Sequence, residues 1–505
     1  MVGEEVPLIA VAMLWCGCRH GFRELLALLI CSTFTTVLFP KPSAPFCRRH
    51  AGTGLLLGTA LLPTIFAGEA GSVAAIFVAF RLTWWSGLAA NALRASSCCW
   101  RPARPALCAA LVAGSVLTFS VCVAAMSEAL LLPALVVFVM CLLALQRAMP
   151  RSFTFGEAVL VAELCAVLFH FMLFSVIFEV TPLPVLESKL RKIVAIGLFS
   201  AVVISTANLL LARMLVVVAR HLKSGREHRD AYHTALTLVL LVIMLQWMSR
   251  SIGQNSLYWL WEYITSHTAT PLKFIMYYCA VLPPALALAP ACQPGSRRRQ
   301  VLVRKYFHLL ALVMFVPTIL INVRFMVLAF AVALAIFMVL ESLRIAEMPS
   351  IAAFMNPFMQ VYVDDRDEGT AVLTHIYLLL GCALPVFFNY FVLRGIFSAN
   401  ALLIALSGVS VTGLGDAMAS YCGVTFGKHR WHGTKKTMEG TAGMIVAVVA
   451  FQIGCLWSVG FQNLSIASWG KLVLADVLVA LLEAKTDQID NLFLPLYHVA
   501  LLQMV

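Results

Sequence analysis

The stretch Gly427 to Thr441, GKHRWHGTKKTMEGT, carries the densest set of groups suited to phosphate. Lys428, Arg430, Lys435 and Lys436 supply cationic donors, Thr434 and Thr437 supply hydroxyls, and Gly433 and Gly440 let backbone N–H groups approach a ligand closely. It is not a P-loop, because Lys435 rather than glycine precedes Lys436-Thr437. Glu439 closes the stretch at the edge of an apolar run. Just upstream, Asp416 in Gly413-Leu-Gly-Asp416 is expected where an apolar run meets the aqueous face. Burying a carboxylate there costs at least ~2.5 kcal/mol, so Asp416 requires a partner: a divalent ion, a lysine, or a hydroxyl whose proton it accepts. The loop Asp364-Asp365-Arg366-Asp367-Glu368 offers the hard oxygen ligands that Mg²⁺ or Ca²⁺ take, of which a nucleotide-borne metal needs one or two. His308, one helical turn after Arg304 and Lys305, and His375, just after Thr374, are each read as a packed interfacial histidine or a phosphate contact. Glu483 and Asp490 are acids at the ends of apolar runs and so are functional candidates.

The elements that must position these groups are membrane helices. Of 505 residues, 61% are hydrophobic and 12% charged, against roughly 45–50% and 25% in soluble domains. That balance excludes a soluble fold, a disordered chain and a nucleic-acid binder, despite the net charge of +12. The apolar residues run unbroken rather than alternating, which predicts an all-α polytopic transmembrane bundle of about 13–15 spans and not a β-barrel. The 15 cysteines lack a Cys-x-x-Cys pair and lie mostly inside apolar runs, so they read as small hydrophobes. The first apolar segment is expected to be a retained span rather than a signal peptide.

Residues 1–230 read as an N-terminal transmembrane scaffold, 231–300 as connecting spans with a basic loop, and 301–505 as the catalytic region. The basic loops Arg220 to Asp230 and Arg297 to Lys305 fall on one face when the spans between them are counted, and the positive-inside rule makes that face cytoplasmic. Topological anchoring alone accounts for Arg297, Arg298 and Arg299. Continuing the count puts the acidic loop, the Gly427–Thr441 loop and the Glu483–Asn491 stretch on the same face. A transporter would instead concentrate its charge at mid-membrane. Phosphoryl transfer to a lipid-soluble acceptor fits better, since it needs positioning and charge neutralisation at the membrane surface.

Five motifs in order then resemble the dolichol kinase family: Arg304-Lys-Tyr-Phe-His308; Asp364-Asp-Arg-Asp367 with Leu373-Thr-His-Ile-Tyr-Leu-Leu-Leu-Gly381; Gly415-Asp416-Ala-Met-Ala-Ser420; Arg430 to Thr441; and Leu482-Glu-Ala-Lys-Thr-Asp-Gln-Ile-Asp-Asn491 with Leu494-Pro-Leu-Tyr497. The resemblance covers about residues 301–505, and related polyprenol and phytol kinases share a reduced form of it. Asp487 and Met438 depart from the pattern, where a threonine and an aromatic residue are expected. The resemblance implies an endoplasmic-reticulum membrane enzyme that phosphorylates dolichol from CTP with a divalent cation, Mg²⁺ or Ca²⁺, supplying the lipid carrier for glycosylation. It further implies that Val424 to Glu439 binds CTP on the cytoplasmic side, a stretch that includes Val424, Gly427, Lys428, Arg430, Trp431 and Gly433. Chemistry then suggests Lys435 and Lys436 on the phosphates, Gly433, Thr434 and Thr437 completing the cradle, Asp416, Asp367 and Glu439 as catalytic carboxylates, and Asp364, Asp367 and Asp416 as metal ligands. A CTP-dependent lipid cytidylyltransferase is the alternative enzyme.

Overall fold

The computed structural model describes residues 131–177, 184–222, 229–265, 270–291, 297–360, 369–393, 398–461, 464–486, 488–503 and 505, with positions 59, 61–63, 65, 66, 86 and 90 upstream. Among the described residues there are fifteen α-helices, one π-helical turn and no strand. In chain order the helices are α1 (Leu131–Ala148), α2 (Phe155–Ile177), α3 (Val185–Leu222), α4 (Arg229–Ile252), α5 (Ser256–Thr265), α6 (Thr270–Ala291), α7 (Arg297–Ile321) and α8 (Val323–Ile345). The second half continues with α9 (Pro349–Gln360), α10 (Thr374–Phe391), α11 (Ala399–Gly408), the π turn (Val409–Gly415), α12 (Asp416–Phe426), α13 (Met438–Ser458), α14 (Ile466–Lys485) and α15 (Asp490–Leu502).

Seven stretches among the described residues are long and apolar enough to cross a membrane, and Pro133–Ala148 and Lys305–Ile321 are shorter apolar helices. The chain is thus the polytopic helical bundle its composition predicts. The first expected span, and others that enter the count of about 13–15, lie outside the described residues. Hydroxyl and amide caps start several helices: Asn322, Ser398, Thr437 and Ser465 each accept the N–H three residues on, satisfying a donor that the first turn leaves unpaired.

Helix α10 packs against α8, α11 and α15 at the centre of the bundle, where Phe330, Tyr390, Phe493 and Tyr497 are fully buried. A polar network crosses this core. His498 on α15 meets Asp476 of α14 at 3.1 Å and Ser407 of α11 at 3.0 Å, and Gln452 of α13 donates to Asp476 at 3.2 Å. Buried polar groups with mutual partners fix one register among four helices, since any slip would strand them.

Asp416, expected where an apolar run meets the aqueous face, lies within one continuous helical segment that α11, the π turn and α12 form to Phe426. Asp416 therefore lies ten residues, about 15 Å of helix rise, before the segment's end, and it is only 3% exposed.

Candidate active site

The π turn determines where Asp416 points. The Asp416 N–H donates to the Val411 carbonyl, five residues back, so the ladder takes up one extra residue and the downstream face is rotated. Close packing on two sides accompanies the turn. A Cβ at Gly413 would lie 3.4 Å from the His308 carbonyl on α7, and one at Gly415 would lie 2.9 Å from Val448 on α13. A side chain at Gly413 would be in ordinary contact, whereas one at Gly415 would need Val448 to shift.

In this setting Asp416 has the partner that burial requires. Lys305, on α7, donates from Nζ to Asp416 Oδ2, and the two side chains are 14% and 5% exposed. His308, one turn further along α7, has Nδ1 3.4 Å from the same oxygen and 2.6 Å from the Thr412 carbonyl. A carbonyl can only accept, so Nδ1 carries the proton and the ring's tautomer is fixed. Of the partners the sequence left open for Asp416, the lysine is in place.

A second ion pair lies nearby. Lys436 Nζ is 2.6 Å from Glu483 Oε1 and also donates to the Glu483 carbonyl. Glu483 closes α14 and interacts electrostatically with Asp416 and Asp490 as well as Lys436, and His308 interacts with Lys305, Asp416 and Asp490. Asp490 is the first residue of α15, and its Oδ1 accepts the Asn491 N–H at 3.0 Å. Residues from α7, α12, α14, α15 and the loop before α13 thus gather at one end of the bundle: two lysines, three carboxylates and a histidine.

The loop itself is ordered by its own side chains. Arg430 and Thr437 form an isolated antiparallel bridge, the Trp431 N–H donates to the Lys436 carbonyl at 3.0 Å, and the Met438 N–H donates to the His429 carbonyl at 2.8 Å. Glu439 reaches back to the His429 N–H at 3.1 Å and the His429 ring at 2.7 Å, so it braces the loop. Thr437 Oγ1 caps α13 by accepting from Gly440 N at 3.2 Å. Trp431 donates to Thr441 at 2.9 Å, and the Lys485 ammonium lies 5.5 Å from its ring centre. Lys428, Arg430 and Lys435 are exposed, whereas Thr434, Lys436 and Thr437 are half-buried, as is Val424 near the end of α12. The expected phosphate cradle therefore divides into an outer cationic rim and one inner lysine already facing a carboxylate.

Gly433 sits at the loop tip with φ of +75°, and nothing lies within 4 Å of where its Cβ would be. Substitution there is a purely conformational test. Gly433→Ala is expected to cost the loop about 1–2 kcal/mol and raise the nucleotide KM several-fold, while Gly433→Asn, which tolerates the left-handed region, stays near wild type. Steady-state kinetics on the two variants checks this.

Other candidates fall elsewhere. Asp364 and Asp367 lie outside the described residues, and Arg304 is placed on α7 by its backbone alone. His375 opens α10 away from the ion pairs, its ring edge-on to Phe337 at 5.4 Å and both nitrogens without a hydrogen-bond partner. The ring contact accords with the packed reading of this histidine. Sequence reading missed His429 and Lys485, whose roles depend on contacts with Glu439 and Trp431 that spacing does not reveal. It also missed Glu157, fully buried on α2, which accepts from Ile489 N at 3.3 Å and Thr154 N at 2.8 Å and ties the turn before Asp490 to α2.

The dolichol kinase family model matches residues 99–402. The chain belongs to the dolichol kinase family. Dolichol kinase of Bos taurus is 32% identical over 383 residues, covering 74% of this chain and 69% of that protein. Dolichol kinase of Homo sapiens is 31% identical over the same shares, and that of Schizosaccharomyces pombe is 30% identical over 72% and 70%. No solved structure matches the chain. The family match begins some 200 residues upstream of the motifs read from the sequence, so it takes in α1–α10. It ends before the Gly427–Thr441 loop, whose role must be argued from its own geometry.

Proposed function

We propose that this membrane protein transfers the γ-phosphoryl group of CTP to the terminal hydroxyl of dolichol, giving dolichyl phosphate and CDP, at the endoplasmic reticulum with its site facing the cytoplasm. The observation that carries the reading is the Lys436–Glu483 contact, which joins the cationic Gly/Thr loop to the Asp416 end of the bundle in a chain of this family. Basic loops at that end support the cytoplasmic side.

In this reading Lys428, Arg430 and Lys435 draw in the triphosphate, and Lys436 exchanges Glu483 for a phosphate oxygen. Asp416, paired with Lys305 and flanked by His308, orients the acceptor hydroxyl and takes its proton. A loose phosphoryl-transfer transition state requires orientation and charge neutralisation more than strong base catalysis. A divalent cation bound with the nucleotide would neutralise the charge that develops on the phosphates. Among the described residues no group of three or more His, Cys, Asp or Glu is arranged to hold a metal. A nucleotide-borne Mg²⁺ or Ca²⁺ needs only one or two carboxylates, and Asp416 would supply one. Asp364 and Asp367 are further ligand candidates.

The test is purified full-length protein in detergent with dolichol, a divalent cation, and CTP labelled at the γ or α position. γ-Label is expected in dolichyl phosphate. Label arriving only from ATP overturns the donor, and α-label in the lipid with pyrophosphate release makes the enzyme a cytidylyltransferase.

A further inference from the structure

An elongated apolar cavity of about 560 Å³ lies between α1, α2, α3, α8 and α10, within the range of about 300–1,000 Å³ usual for ligand sites. The ion-paired residues Lys305, Asp416, Lys436 and Glu483 are not among its lining, whereas Leu373, Ile376, Tyr377 and Leu380 of the Leu373–Gly381 motif are. Its lining on α10 runs from Ile376 to Phe391, about 22 Å of helix rise, with Leu373 and Val392 at the flanks, against the ~30 Å hydrocarbon thickness of a bilayer. The cavity therefore runs along the bundle for most of the length of α10. Its walls are aliphatic and aromatic, with Phe171, Phe387 and Phe388 among them.

Charge is confined to one end. Arg147, Arg213 and Glu341 line the cavity there. Arg213 donates to the Arg147 carbonyl, and Glu341 is held by Arg344 at 2.6 Å and the Val372 N–H at 2.7 Å. This is the end that carries the active-site groups, because the chain leaving α1 pairs with their supports. Ser152 accepts from Ala371 N at 3.1 Å, and Thr154 donates to Gln488 at 2.8 Å. Helix α15 connects the two features: Asp490 starts it, and Leu496 and Val499 line the cavity. Leu496 is six residues, about 9 Å of rise, from Asp490. At the side, Met140 on α1 and Leu210 on α3 line the cavity and are 62% and 56% exposed, so it opens laterally toward lipid.

We propose that this cavity is the acceptor site, holding the isoprenoid tail of the lipid alcohol along the membrane normal with its hydroxyl at the Asp490 end. This rests on the kinase reading above. A chain longer than the cavity leaves through the opening between Met140 and Leu210, so the hydroxyl end is recognised and the far end stays in lipid. The family match across residues 99–402 takes in nearly all of the lining.

The full-length protein in phosphatidylcholine liposomes tests this with a polyprenol carrying a diazirine midway along its tail. Crosslinks are expected on cavity-lining residues of α1, α2 and α10, and dolichol is expected to displace them while added phosphatidylcholine does not. Leu164→Trp and Leu380→Trp, which fill the cavity, are expected to raise the dolichol KM about tenfold with the nucleotide KM and melting temperature unchanged. Crosslinks scattered over the lipid-facing surface, or displaced equally by phosphatidylcholine, overturn the site even if dolichol is phosphorylated. Cavity crosslinks displaced by dolichol in a protein that phosphorylates nothing uphold the site and reject the kinase reading.

Discussion

Asp416→Asn is expected to lower turnover about 10²–10⁴-fold, the range lost when a positioned acid or base is removed. Asparagine keeps the size of the side chain and removes its charge, so the packing around the π turn is preserved. The loss has two sources that must be separated. Lys305 is 14% exposed and donates to Asp416, so neutralising the acid leaves a buried ammonium without its counter-charge. Breaking a well-buried pair costs about 3–5 kcal/mol, and some of the lost activity could be lost fold. The double variant Asp416→Asn/Lys305→Met removes both charges. It is expected to recover the melting temperature and remain inactive, because the group that orients the acceptor hydroxyl is still missing. Initial rates at saturating substrates, per mole of monodisperse protein, decide the matter. Wild-type turnover in either folded variant removes Asp416 from the chemistry.

Much of this site was legible in the sequence, and the limits have physical causes. Composition alone fixes a helical membrane bundle, because 61% hydrophobic residues have no aqueous arrangement. Asp416 could be recognised as a group in need of a partner from the cost of burying a carboxylate. Its partner could not, because Lys305 lies 111 residues away and the contact is purely tertiary. The π turn was equally hidden. Val409 to Gly415 reads as ordinary apolar helix, and the extra residue is accommodated where Gly413 and Gly415 meet α7 and α13. For the loop, residue types identified the cations but not their division into an exposed rim and an inner lysine. The cavity was not legible as a cavity, although Leu373, Ile376, Tyr377 and Leu380 of its lining fall in a motif the sequence offered. Leu164 and Leu380 have the helical spacing of residues that face lipid or core, and periodicity cannot tell a packed neighbour from an empty one.

Lys436→Ala is expected to raise the nucleotide KM about tenfold or more, the loss of one charge-assisted phosphate contact, and also to destabilise the protein. The second effect follows from Glu483, whose side chain is 7% exposed and pairs with Lys436 at 2.6 Å. Because Lys436 keeps 27% exposure, the stability loss should be about 1–3 kcal/mol, below the ~3–5 kcal/mol for breaking a fully buried pair. The two effects separate in the double variant Lys436→Ala/Glu483→Gln, which removes the unpaired charge. Thermal melting is expected to return toward wild type while the nucleotide KM stays high. Lys436→Arg should preserve the ion pair and lose only part of the affinity, since a planar guanidinium does not reproduce a compact ammonium. If the double variant recovers nucleotide affinity along with stability, Lys436 acts only as the counter-charge of Glu483. In that case the phosphates are held by the outer rim of Lys428, Arg430 and Lys435, and the Lys436–Glu483 pair simply ties the loop to α14.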